Sequence, residues 1–371
     1  MIDRRAVLTS LLALSLAPSL AKAESVSDNM LETVAEGLDR PWSFAFLPEG
    51  VILVTEKSGA LRTIGPGRKL SEPISGLPEI AAVGQGGLLD IALHPAFEQT
   101  RLVFLSFAEP REEGKVATSV MRGRLSEDLL SLSDVKVIFR QQPATDGGQH
   151  FGSRIVFDRS GALFITTGDR GSLRGLVQKP DNHIGKIIRI TEDGGIPPDN
   201  PKLEGWLPEI WSIGHRNLQG AAIDPETGQL WTVEHGTKGG DELNIPVAGK
   251  NYGWPDVTYG REYSGEPIGE GVTEREGIEP PLHYWDPSIA PSGMAFYTSD
   301  RYPEWKGSLF VGALVQKHLA RLVIKDGKVV EEERLYEGRA RIRDVRQGPD
   351  GYLYMLTDER APMGRIMRVT P

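Results

Sequence analysis

Apolar and polar positions alternate along most of the chain, and one phrase recurs. A short apolar strand passes through a Pro, Asp or Gly turn into a second strand of Val, Leu, Ile, Phe and Tyr, often closed by Thr or Asp. The first copy runs from Trp42-Ser43-Phe44-Ala45-Phe46 through Pro48, Glu49 and Gly50 into Val51-Ile52-Leu53-Val54-Thr55-Glu56. It returns near 89–107 and at 154–169, 219–234, 292–311 and 344–358, which makes six copies. Period-two strands joined by Gly-rich turns, with almost no helical periodicity, predict an all-β fold. A repeat of several tens of residues predicts a β-propeller in which each copy is the heart of one four-stranded blade, hence a six-bladed β-propeller. Gly and Pro cluster at 169–185, 194–205 and 253–281, and these stretches read as long loops on one face.

The N-terminus breaks the pattern. Arg4 and Arg5 precede an apolar run from Ala6 to Leu20, followed by Ala21-Lys22-Ala23. Basic start, short apolar run and small-x-small ending predict a signal peptide over residues 1–23, cut after Ala23. The run is broken by Pro18 and no second long apolar segment follows, so the chain is not expected to span a membrane. The expected location is periplasmic or secreted. The paired arginines leave both the general and the twin-arginine export routes open. The remaining 348 residues allow about 58 per blade, and no polar linker divides them, so 24–371 reads as one closed domain.

Loss of the leader takes the formal charge from −9 to −11, because Asp3, Arg4, Arg5 and Lys22 leave with it. So acidic a chain, with no basic patch, makes nucleic acid an unexpected partner. There is no cysteine, so the core must hold the fold without disulfides.

Several polar clusters stand out from the blades. His150, in Gly148-Gln149-His150-Phe151-Gly152-Ser153-Arg154, opens a strand beside glycines. An imidazole there can accept a proton near neutral pH, or serve as a hydrogen-bonded turn residue. Arg216 and Asn217, in Gly214-His215-Arg216-Asn217-Leu218-Gln219-Gly220, offer fixed donors for developing negative charge. Arg341 and Arg343 flank Ile342 at strand spacing, so both point to one face and suit a polycarboxylate. The stretch Glu234-His235-Gly236-Thr237-Lys238-Gly239-Gly240-Asp241-Glu242-Leu243-Asn244 combines a Gly-rich turn with acids, and such loops supply calcium with oxygens, though on the residues alone Asp241 and Glu242 read first as solvated loop acids. Trp285 could stack on a flat ligand or fill the propeller. No Gly-x-Ser-x-Gly, Walker loop or dinucleotide fingerprint is present, and the histidines lack zinc-site spacing.

Taken in order with Asn251-Tyr252-Gly253-Trp254-Pro255, these clusters resemble the soluble quinoprotein glucose dehydrogenases, more closely their aldose sugar dehydrogenase branch, over essentially the whole mature chain. The resemblance implies a pyrroloquinoline quinone (PQQ) cofactor with calcium, oxidation of an aldose at C1 to a lactone, and reoxidation by an external electron acceptor, a quinone or a cytochrome. It implies His150 as the catalytic base, with Arg216 acting in catalysis and in cofactor contact. Gln85, Asn217, Arg341 and Arg343 are the implied cofactor contacts. The carbonyls of Gly236 and Thr237 are the implied calcium ligands at the cofactor, and Glu242 and the Tyr252 carbonyl, joined by Glu262, a second calcium site. Two departures stand out. Gln149 replaces the acid that glucose dehydrogenase members carry beside the base, and Val315 falls where the family has a cofactor lysine. Lys317, two residues on, could reach from the same strand face. A calcium-dependent lactonase-like hydrolase and a non-catalytic binding propeller are the alternatives. Neither calls for the paired arginines together with His150, Arg216 and Asn217.

Overall fold

The computed structural model describes residues 31–370. The signal peptide read at 1–23 lies outside the described residues. The strands form six sheets arranged as the blades of a propeller. Blade one is three-stranded, β2 (Pro41–Phe46), β3 (Ile52–Glu56) and β4 (Leu61–Ile64). Blades two to five are four-stranded: β5 (Leu88–Leu93) to β8 (Leu132–Arg140), β9 (Ile155–Phe157) to β12 (Ile210–Ile213), β13 (Leu218–Ile223) to β16 (His283–Trp285), and β17 (Pro291–Phe296) to β20 (Lys328–Leu335). The last blade takes β21 (Ile342–Gln347), β22 (Leu353–Thr357) and β23 (Gly364–Val369) from the C-terminus, and its outer strand is β1 (Leu31–Leu38). Leu31 pairs with Val369 and Leu38 with Gly364, antiparallel, so the two ends of the chain shut the ring.

The recurring phrase of the sequence is the inner hairpin of each blade. Its second strand is packed on both faces by neighbouring blades, which is why it is apolar nearly throughout. Every residue of β3, of β14 (Leu230–Glu234), of β18 (Leu309–Ala313) and of β22 is buried. Apolar clusters fill each gap between blades. Leu53, Ile91 and Leu105 join the first two, Trp231, Met294 and Val311 the fourth and fifth, and Leu38, Val54 and Leu356 the last and first. Trp285 belongs to this filling, buried and donating from Nε1 to Glu332 at 2.9 Å.

Polar residues near the start of the inner strands meet on the axis. Asp90 accepts from Ser43 at 2.7 Å, Arg154 at 3.2 Å and Arg346 at 3.0 Å. Asp344 lies 2.9 Å from Arg154 and accepts from Ser43 at 2.9 Å and Arg346 at 3.1 Å. Gly293 makes room for this knot, since a Cβ there would lie 1.9 Å from Asp344 Oδ1. Buried charges persist only when paired and hydrogen-bonded, and here blades one, two, three and six are tied at one point. Among the described residues no helix is long and apolar enough to cross a membrane.

Candidate active site

Above the knot, loops from all six blades surround a cavity of about 640 Å³, within the range of small-molecule sites. His150, Gln85, Arg216, Asn217, Gly236, Thr237, Arg341 and Arg343, which are far apart in sequence, all line it. A smaller polar chamber of about 430 Å³ adjoins it, sharing Gln85, His150, Arg216 and Thr237 and adding Gln149, Asp169, Arg174, Trp254 and Glu262.

The His150 loop is held from every side. Its backbone is left-handed at His150 (φ 47°), Gly152 (φ 63°) and Ser153 (φ 90°), a conformation that costs energy at non-glycine residues and persists only where the surroundings impose it. Arg170 donates to the carbonyls of Gly147 and Gln149, and its guanidinium sits 3.5 Å from the centre of the Phe151 ring. Thr118 donates to the Phe151 carbonyl at 2.7 Å, and Gln219 to that of Gly152 at 3.0 Å. The Gly152 amide donates to Asn217 Oδ1 at 3.2 Å. The Gly84-Gln85-Gly86-Gly87 turn is wedged alongside. A Cβ on Gly84 would lie 2.2 Å from the Gly148 carbonyl oxygen, and one on Gly87 2.1 Å from that of Lys57. This close approach lets Gln85 Oε1 accept from the His150 amide at 2.8 Å.

His150 Nδ1 lies 2.6 Å from Asp169 Oδ1. Asp169 also accepts from the Gly171 amide at 2.8 Å and from Trp254 Nε1 at 2.8 Å. Burial works against ionisation of Asp169, but its hydrogen bond to His150 and the charges of His150 and Arg216 outweigh it and hold the carboxyl below the usual range. An ionised carboxylate can only accept, so in the neutral imidazole the proton sits on Nδ1 and the lone pair on Nε2. The carboxylate that orients the imidazole comes from position 169 and not from the neighbouring position 149, which is Gln.

Positive charge dominates the rest of the wall. Arg341 and Arg343 both donate to Asp358 Oδ2, at 3.1 and 3.3 Å, and Arg343 also to Gln219 Oε1 at 3.0 Å. Burial pulls the Arg343 guanidinium below its ordinary range. Arg216 donates to the His235 carbonyl at 3.0 Å and lies over the Trp254 ring. His235 donates from Nε2 to the Pro291 carbonyl at 2.8 Å; burial, then Arg216 and Arg343, push it down to about 3, so it is neutral. Nε of Arg216, Nε of Arg343 and Oγ of Ser153 are buried on this wall with no hydrogen-bond partner among the described residues. Unsatisfied buried donors beside fixed cations suit an anionic, oxygen-rich ligand.

The remaining expected residues are placed elsewhere. Lys317 is exposed on the turn between β18 and β19 (Leu319–Lys325), with φ 52°, and does not line the cavity; Val315 does. Glu242 and Tyr252 line a separate cavity of about 510 Å³ with Glu274, Glu276 and Glu279. Burial, then the charge of Glu234, push the Glu242 carboxyl up. Glu262 instead accepts from Arg174 at 2.6 Å in the polar chamber. Among the described residues no three His, Cys, Asp or Glu side chains gather as a metal site. A cation at Gly236 and Thr237 would rest on backbone carbonyls, and one at Glu242 on a single buried carboxylate with a Tyr252 carbonyl. Sequence reasoning missed Asp169, Lys57 and Asp358. Each stands one to three residues beyond the end of a blade's second strand, where a charged residue reads as an ordinary turn.

The glucose/sorbosone dehydrogenase family model matches residues 38–368. The chain belongs to the glucose/sorbosone dehydrogenase family. Within that family it is similar to the aldose sugar dehydrogenase of Escherichia coli, 48% identical over 92% of each chain. A crystal structure of a glucose dehydrogenase superposes with a TM-score of 0.89 at 52% identity, covering 92% of this chain and 99% of that one. The PQQ-bound form of aldose sugar dehydrogenase from Streptomyces coelicolor gives a TM-score of 0.77 at 30% identity, covering 91% and 96%.

Proposed function

We propose that this cavity oxidises the C1 hydroxyl of an aldose to the lactone and passes the electrons to an external acceptor, a quinone or a cytochrome. The enzyme is a PQQ-dependent aldose sugar dehydrogenase, an oxidoreductase. The observation that carries the reading is His150. Its Nδ1 is tied to buried Asp169, and its ring faces a cavity lined by Arg216, Arg341 and Arg343. When bound, PQQ supplies the two-electron acceptor for the hydride that leaves C1.

His150 Nε2 takes the proton of the C1 hydroxyl as the C–O bond becomes the lactone carbonyl, and Asp169 steadies the imidazolium that results. Arg216 and Asn217 are held by the backbone around them and stabilise negative charge without reorganising. Arg341 and Arg343, held together by their shared Asp358, would hold carboxylates of the cofactor. The carbonyls of Gly236 and Thr237 would hold one calcium, and Glu242 with the Tyr252 carbonyl a second, structural calcium. The ion pair from Glu262 to Arg174 favours a part for Glu262 in the polar chamber over one at Glu242. The first 23 residues direct export, which places the mature enzyme, residues 24–371, in the periplasm or outside the cell.

Reconstitution tests the reading. Apoprotein given PQQ and calcium, then an aldose, should show the absorbance change of quinone reduction and release the lactone. A loaded protein that leaves its quinone oxidised with every aldose tried, or that hydrolyses added lactone instead, overturns it.

A further inference from the structure

We propose that Lys57 anchors a carboxylate of the cofactor, together with Arg341 and Arg343. The inference rests on the functional reading above and adds a residue to it. Lys57 directly follows β3, as His235 follows β14 and Asp358 follows β22, and all three line the cavity. The propeller repeat therefore delivers this side chain to the same mouth from the first blade.

Its surroundings leave it short of a counter-ion. The ammonium donates to the Gly84 carbonyl at 3.2 Å, a neutral partner for a group with three donors. Burial, then the charge of Arg343, lower its pKa, while Asp358 works the other way. Asp358 Oδ2, however, already accepts from both Arg341 and Arg343. Around the cavity Lys57, Arg216, Lys238, Arg341 and Arg343 face only Asp286 and Asp358. A ligand bearing several carboxylates corrects that excess, and Lys57 stands on the side where the arginine pair sits. Lys317 is exposed on a turn outside the lining, so the lysine beside the arginine pair is Lys57, from the first blade.

The competing role is mechanical. Lys57 could simply brace the Gly84 turn, whose partner Gly87 lies against the Lys57 carbonyl. Affinity and salt dependence separate the two roles. Apoprotein carrying Lys57→Ala, Lys57→Gln or Lys57→Arg is titrated with PQQ in saturating calcium, read by quenching of tryptophan fluorescence over a series of salt concentrations. Melting of each apoprotein is recorded alongside. The Ala and Gln variants should bind PQQ at least about tenfold more weakly at low salt, with a shallower dependence on salt. Arg should restore affinity to within about threefold, and apo melting should stay close to wild type.

Ala and Gln variants with wild-type affinity and wild-type salt dependence overturn the proposal. So does an equal loss in all three variants with a lowered apo melting temperature, which marks a brace. Should the Ala variant fail to fold, the longer Gln side chain carries the same comparison. Failure of the wild-type protein to bind PQQ sinks the functional reading and this inference with it, whereas a failure confined to the Lys57 variants leaves that reading standing.

Discussion

Asp169 and His150 are 19 residues apart in the chain and 2.6 Å apart in space, Oδ1 to Nδ1. The carboxylate is buried, and its other oxygen accepts from Trp254 Nε1, a residue of a different loop. The pair fixes both the tautomer and the direction of the imidazole before any sugar arrives.

His150→Ala should reduce the rate of the single-turnover quinone reduction at least about a hundredfold, with PQQ binding and melting temperature unchanged. Asp169→Asn should lower the same rate at least about tenfold, again with cofactor affinity intact, because it removes orientation and not contact. Stopped-flow mixing of loaded enzyme with aldose measures both. An Ala variant as fast as wild type would make His150 a turn residue and assign the base elsewhere.

Arg341 and Arg343 share Asp358 but differ in surroundings. The Arg341 side chain is 41% exposed and that of Arg343 10%, and Arg343 also bonds Gln219. Arg341→Ala should weaken PQQ binding by about 1 to 3 kcal/mol and leave apo stability near wild type. Arg343→Ala should cost a similar amount in binding and in addition lower the apo melting temperature, since Asp358 and Gln219 lose a buried partner. Titration and thermal melting side by side distinguish the two.

Glu242 is buried beside Glu234, and each accepts from Asn244 Nδ2, at 3.1 and 3.3 Å. Calcium at that place should raise the melting temperature, since a ligand bound only by the folded chain stabilises it. Thorough chelation should therefore lower melting and activity together. Glu242→Gln should remove much of the calcium-dependent rise in melting while leaving His150 untouched. A Gln variant that keeps the full rise places the structural cation elsewhere.

Lys186 lies under the loop that carries Asp169 and Arg170, donating to the carbonyls of Val177 at 2.7 Å and Ile184 at 2.5 Å. Burial pushes it down to about 7. The unfolded chain keeps an ordinary lysine near about 10.4, so between these values it binds a proton that the folded chain does not. Stability from this group consequently rises with pH across that window. Urea unfolding at pH 7 and pH 9.5 should show wild type gaining about 2 to 3 kcal/mol relative to Lys186→Met. A constant difference between the two proteins would mean that Lys186 titrates as an exposed lysine does.

The blades were legible because their second strands are buried on both faces, so Ile52-Leu53-Val54 or Leu353-Tyr354-Met355 can hardly be anything but apolar. The closing strand was not. Its half-exposed pattern, Leu31-Glu32-Thr33-Val34-Ala35-Glu36, carries little signal, because one face of an outer strand meets water. In the site, the Arg341–Arg343 pair is suggested by its spacing, whereas His150 and Arg216 read alone as a turn histidine and an ion-paired arginine and are singled out only by the family resemblance. Lys317 illustrates the limit. Strand alternation placed it on the face of residue 315, but the chain leaves the strand at Ala313 and turns with φ 52° at Lys317, so that alternation no longer applies. Asp169 gave no signal at all, since its partner lies on another loop and only the fold brings them together.

Pairing β1 with β23 makes the cavity a product of the finished chain. Lys57 comes from the first blade and Arg341, Arg343 and Asp358 from the last, so a chain cut short before its final blade lacks the arginine pair and its shared carboxylate and leaves β1 without a neighbour. A fragment that ends before β21 cannot present the arginine pair, so the charged wall is complete only once the last blade has closed on the first.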